Sequence, residues 1–110
     1  MIVVKNKIEL RRLINQRIEE LGPNYDLNDI DVSGMTNMSH LFYRSKFNGD
    51  ISQWDVSSVV DMTRMLASSK FDGDISGWDV SRVVSMRKIF SGMTGRLTNK
   101  LTNWDTRRCR

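Results

Sequence analysis

The chain has 110 residues, 39% of them hydrophobic and 27% charged, with a formal net charge of +4. That is enough sequence for one folded domain; it has no apolar run long enough to span a membrane and too much apolar content for a disordered chain. The lone cysteine, Cys109, and lone histidine, His40, exclude an intrachain disulfide and a His/Cys zinc centre.

Met1–Val4 is read as a short strand, and the Lys5 that follows leaves no apolar core of a secretory signal. A cytoplasmic protein without membrane insertion is therefore expected. Asn6-Lys7-Ile8-Glu9 has an N-cap residue with an acid three positions on, a variant of the capping box. Leu10, Leu13, Ile14, Ile18 and Leu21 then fall on one helical face, and Gly22-Pro23 ends the helix. Residues 1–25 are assigned to an N-terminal cap.

A repeat follows. Phe47-Asn48-Gly49-Asp50-Ile51-Ser52-Gln53-Trp54-Asp55-Val56-Ser57 recurs as Phe71-Asp72-Gly73-Asp74-Ile75-Ser76-Gly77-Trp78-Asp79-Val80-Ser81. A weaker copy precedes, with Ile30-Asp31-Val32-Ser33 under Trp54-Asp55-Val56-Ser57. A partial one follows, with Leu97, Leu101, Trp104 and Asp105 under Phe71, Ile75, Trp78 and Asp79. Residues 26–95 thus hold about three units, and 96–110 an incomplete unit with a basic tail. One unit cannot bury its own apolar positions, so stacking must put like residues over like. The expected core columns are Ile30/Trp54/Trp78/Trp104, Phe47/Phe71/Leu97, Leu27/Ile51/Ile75/Leu101, Met38/Met62/Met86 and Leu41/Met65/Ile89. Within a unit the apolar spacing suits a chain that turns corners: an extended piece around Val59–Met62, a helical turn around Thr63–Ser68, then a loop. Gly49 and Gly73 are assigned to turns that need positive φ.

The string Phe-x-Gly-Asp-Ile-Ser-x-Trp-Asp-Val-Ser-x-Val-x-x-Met-x-x-Met resembles the BspA-like leucine-rich repeat over roughly residues 26–105. The resemblance implies an α/β fold, a short right-handed solenoid with a small parallel sheet and an N-terminal capping helix. It also implies a non-enzymatic binding scaffold of the kind found in bacterial surface proteins.

The repeated carboxylates Asp26/Asp50/Asp74 and Asp31/Asp55/Asp79/Asp105 are read as Asx turns rather than as calcium ligands, because each unit offers few oxygens to a shared point. Catalysis would have to use His40, which aligns with Arg64 and Lys88, while Cys109 lies in the tail; no enzyme, cofactor or metal is expected. Positive charge is concentrated at the end: residues 26–95 hold seven Lys/Arg against nine Asp, and 96–110 five Lys/Arg against one Asp. The tail Arg107–Arg110 is read as solvated and frayed.

Columns that vary between copies mark candidate binding residues: Asn37, Val60, Asp61, Arg82 and Val84 on the extended pieces, Arg64, Arg87 and Lys88 on the outer turn, and Arg107 and Arg108 in the tail. The leading expectation is a module that binds another protein. One concrete form is a phage or mobile-element inhibitor of a host nuclease or CRISPR effector. The alternatives are nucleic-acid contact through the basic edge, which adds Arg96, Lys100 and Arg110, and a fragment of a surface adhesin. End-to-end association of two copies is a further expected form of assembly.

Overall fold

A computed structural model describes residues 1–93, 101 and 103–110. Leu97, Arg96 and Lys100 lie outside the described residues. Among the described residues, the regular elements are β1 (Ile2–Val3), α1 (Lys7–Leu21) and β2 (Ile30–Asp31), with β1 and β2 paired in parallel as Ile2 with Ile30 and Val3 with Asp31. The protein is a small α/β unit of 12.8 Å radius of gyration.

The cap forms for the reasons its sequence gives. Asn6 is extended at φ −147°, and its side chain accepts the Glu9 N–H at 2.8 Å. The Glu9 carboxylate takes the N–H of Lys5 at 3.3 Å, one residue before the position a full capping box would use. Gly22 closes the helix at φ 88°, a left-handed region open to glycine, with its N–H on the Ile18 carbonyl. Leu10 and Ile14 are buried, and Leu13 and Ile18 pack partly against the core. Leu21 departs from the expected face: it is half exposed, because the chain turns away at Gly22 before that residue meets the core. Polar ties fix the helix to the first copy of the repeat. Lys7 Nζ donates to Ser39 Oγ at 2.8 Å, Arg11 to the His40 carbonyl at 2.7 Å, and Arg17 grips both oxygens of Asp29 at 3.0 and 2.7 Å.

Successive copies lie against one another in register. Trp54 stacks on Trp78 with ring centroids 6.5 Å apart at 7°, and Trp78 on Trp104 at 6.5 Å and 5°. Phe47 stacks on Phe71 at 6.1 Å and 8°. Each indole also donates to the preceding copy: Trp54 to the Leu27 carbonyl, Trp78 to Ile51 and Trp104 to Ile75, at 2.9 to 3.1 Å. The column position thus satisfies both the apolar body and the polar tip of the side chain.

The outer segment is not the helical turn its spacing suggested. Met62, Arg64, Leu66 and Ser68 donate their N–H groups to Ser85, Arg87, Ile89 and Ser91 of the next copy, and Met38, His40, Phe42 and Arg44 donate likewise to Asp61, Thr63, Met65 and Ala67. The residues between them close three-residue turns within their own copy, as in Met65 to Met62, Ala67 to Arg64 and Ser69 to Leu66. With every second N–H given to a neighbour, an α-helix cannot form. The expected extended pieces shrink to single parallel bridges, Asn37 with Asp61 and Asp61 with Ser85.

This alternation forces positive φ at two columns, His40 (59°), Arg64 (52°) and Lys88 (54°), and Arg44 (56°), Ser68 (55°) and Gly92 (76°). Each non-glycine residue there costs roughly 1–2 kcal/mol, offset by the bonds between copies. Gly49 and Gly73, by contrast, are not at positive φ. They are required because a Cβ at Gly49 would run into the Tyr25 carbonyl and the Phe47 ring, and at Gly73 would lie 2.7 Å from the Phe71 ring.

The tail is not frayed. Cys109 donates from Sγ to the Val83 carbonyl at 3.3 Å, and Arg110 donates its N–H to Val84 at 3.0 Å, as Val84 does to Val60 and Val60 to Thr36. Cys109 and Arg110 therefore continue the ladder begun three copies earlier at Thr36.

Candidate interaction surface

The sequence-nominated residues fall on two neighbouring faces and are not equivalent. Thr36, Val60, Val84 and Arg110 form one hydrogen-bonded row, in which Val60 and Val84 are 41% and 42% exposed. Arg82 and Arg108 are exposed and stand at matching positions beside it, because their copies are offset by 26 residues. The ladder therefore presents two valines flanked by arginines on a backbone that hydrogen bonds hold in place. A cavity of about 540 Å³ lined by Thr63, Val84, Ser85, Arg87 and Arg110 lies on this face.

Several candidates are committed to the fold instead. The Asn37 side chain accepts the N–H of Ser39 and that of Asp61 the N–H of Thr63, both at 2.9 Å. Arg107 is held by Asp105, its Nε and Nη2 each 2.9 Å from a carboxylate oxygen, so its charge is neutralised locally. That pairing lowers the Asp105 carboxyl to about 2 and raises Arg107 above its ordinary value. The other carboxylates repeat the Asx pattern. Asp26, Asp50 and Asp74 accept the N–H of Asn28, Ser52 and Ser76, and Asp31, Asp55 and Asp79 that of Ser33, Ser57 and Ser81. Hydrogen bonds from Ser33, Ser52 and Ser81 hold Asp31, Asp50 and Asp79 below the usual carboxylate range. Burial, with a smaller push from Asp105, raises the Cys109 thiol.

The outer turn carries Arg64, Arg87 and Lys88, and beside them residues that sequence reasoning passed over: Arg44, Lys46 and Lys70, all exposed. Between α1 and the first outer turn lies a groove of about 560 Å³ lined by Arg11, Asn15, His40, Tyr43, Arg44 and Lys46 among others. His40 meets the Tyr43 ring edge-on at 5.6 Å, and Arg44 lies over that ring at 5.2 Å. A count of charges by column rather than along the chain would have found these residues.

A family model described as "Mycoplasma protein of unknown function, DUF285" matches residues 10–110. The chain belongs to this family. The match runs from Leu10 on the buried face of α1 through the Trp column to the laddered tail. Comparison with curated proteins and with solved structures gave no match. Among the described residues, no helix is long and apolar enough to cross a membrane.

Proposed function

We propose that the chain is a non-enzymatic protein-interaction module, built as a short right-handed solenoid of the BspA-like leucine-rich-repeat kind. The recurrence of the same stacked rings and the same bonds between copies supports the architectural reading. The observation that carries the functional reading is the exposed Val60/Val84 row, bordered by Arg82, Arg108 and Arg110. Apolar side chains held on a rigid backbone and rimmed by arginine are the composition of a protein-binding patch. The non-enzymatic reading is supported by the repeated carboxylates, which accept hydrogen bonds from their own turns.

The test is affinity capture from extracts of the source cells, comparing the tagged chain with its Val60→Asp/Val84→Asp variant. Both valines are exposed and bond through backbone atoms, so the variant should fold, as circular dichroism would verify. A protein captured by the parent chain and lost with the variant supports the proposal. Identical captured sets refute it.

A further inference from the structure

The net charge of the repeats conceals a segregation that stacking creates. The outer segments 38–47, 62–71 and 86–93 contain Arg44, Lys46, Arg64, Lys70, Arg87 and Lys88 and no Asp or Glu. The bonds between copies set these segments directly against one another. The Asx carboxylates Asp31, Asp55, Asp79 and Asp105 lie in another column, and Asp61, whose side chain accepts the Thr63 N–H, borders the lane at its second copy. One lane on the molecule is therefore cationic over all three copies.

The centre of the lane is the column His40, Arg64, Lys88, with φ of 59°, 52° and 54°. A left-handed backbone is cheapest for glycine and next for asparagine or aspartate. The companion column uses that freedom at Gly92. The His40 column instead carries an imidazole, a guanidinium and an ammonium group, basic side chains held where the backbone would favour others. The bonds between copies account for the torsion; what marks the column is that all three copies place a basic side chain on it.

We infer that this lane binds an acidic α-helical segment of a partner protein. Adjacent copies are about 4.8 Å apart where their backbones hydrogen-bond, and 6.5 Å apart at the stacked indoles. Side chains four residues apart on a helix are separated by about 5–6 Å, so a row of Asp or Glu at that spacing meets successive cations. Single-stranded nucleic acid fits less well. It needs open aromatic faces to stack on; Trp54 and Trp78 are buried, and the exposed ring near the lane, Tyr43, has Arg44 over one of its faces. The lane adjoins the Val60/Val84 row at Arg87, which lines one cavity with Val84 and Arg110; its centre, the His40/Arg64/Lys88 column, lies beyond that row, so the inference specifies a second contact and its chemistry.

The left-handed backbone also supplies a clean variant. Arg64→Gly/Lys88→Gly removes two charges from the lane where glycine suits the backbone, so thermal stability should hold or rise. The probe is a fluorescein-labelled, helix-forming 20-residue peptide with Glu at every fourth position, alongside a scrambled peptide of equal composition and oligo(U) RNA. Anisotropy at about 50 mM salt keeps screening weak. The expected result is binding of the ordered peptide, weakened about tenfold by the double variant, as two surface ion pairs, one from half-buried Arg64 and one from exposed Lys88, would give. Arg82→Ala/Arg108→Ala, an equal loss of charge outside the lane, should leave that binding unchanged. No binding, equal weakening by the two double variants, equal affinity for the scrambled peptide, or tighter binding of oligo(U) would each overturn the inference. Val60→Ser/Val84→Ser, which removes the apolar row without adding charge, should bind the peptide normally, which separates failure here from failure of the proposed function.

Discussion

Replacing Trp54 tests the energetic basis of the stacked column. Trp54 is 4% exposed and packs between Phe42, 5.9 Å away, and Trp78 at 6.5 Å. A buried indole removes on the order of 200 Å² from water, which at about 25 cal/mol per Å² sets an upper bound near 5 kcal/mol. Large-to-alanine changes in cores cost about 3–5 kcal/mol, and Trp54→Ala should fall there. The hydrogen bond adds little. The Leu27 carbonyl that accepts the indole N–H also accepts the Ile30 N–H at 3.1 Å, so it keeps one donor. Its share should lie toward the low end of the roughly 0.5–1.5 kcal/mol of a typical bond. Trp54→Phe keeps a ring between Phe42 and Trp78 and should lose only about 1–2 kcal/mol, combining that bond with the smaller ring. Trp104, half-buried at the far end of the column, should tolerate alanine better than Trp54. Urea unfolding followed by far-ultraviolet circular dichroism measures all three variants. If Trp54→Ala and Trp54→Phe unfold at the same urea concentration, or neither midpoint moves, the column is not the main source of stability.

Two further predictions follow from particular positions. Gly49→Ala should destabilise by about 1–3 kcal/mol through overpacking, whereas Gly77→Ala, whose Cβ meets nothing within 4 Å, should be neutral or stabilising by up to about 1 kcal/mol; thermal melts of the pair check this, and equal effects would refute it. Acid should weaken the fold through Asp29, Asp31, Asp50, Asp79 and Asp105, which titrate lower in the folded chain than their ordinary 3.8. Their contribution is complete above that value and is lost as pH falls through the folded one, about 2 for Asp105. The melting temperature should be level above about pH 5 and fall between about 4 and 2, less steeply in Asp105→Asn; a fall that begins near neutrality would contradict the assignment.

The sequence by itself determined the 24-residue spacing, the stacked Trp and Phe positions and the N-terminal helix. A 24-residue repeat of Trp, Ile, Val and Met cannot bury its apolar atoms in one copy, so stacking follows from composition and spacing. Asn6, Gly22 and the Asp-x-Ser pairs are likewise local signals, because the Asn6 and Asp side chains bond within two or three residues of themselves and the Gly22 N–H bonds Ile18 four residues back. What depends on a neighbour one copy away was decided only in three dimensions. The segment around Thr63–Ser68 has helical spacing but surrenders alternate N–H groups to the next copy, and that exchange places Arg64 and Ser68 at positive φ. Gly49 is needed for the approach of Tyr25, a residue 24 positions away, and not for its own torsion. Arg107–Arg110 reads as a solvated basic tail, yet Cys109 and Arg110 find the Val83 and Val84 carbonyls 26 residues back. The candidate site divides in the same way. Val60 and Val84 are legible as apolar residues at a variable position. The cationic lane, by contrast, exists only because stacking superposes segments whose charges, counted along the chain, are offset by the aspartates between them.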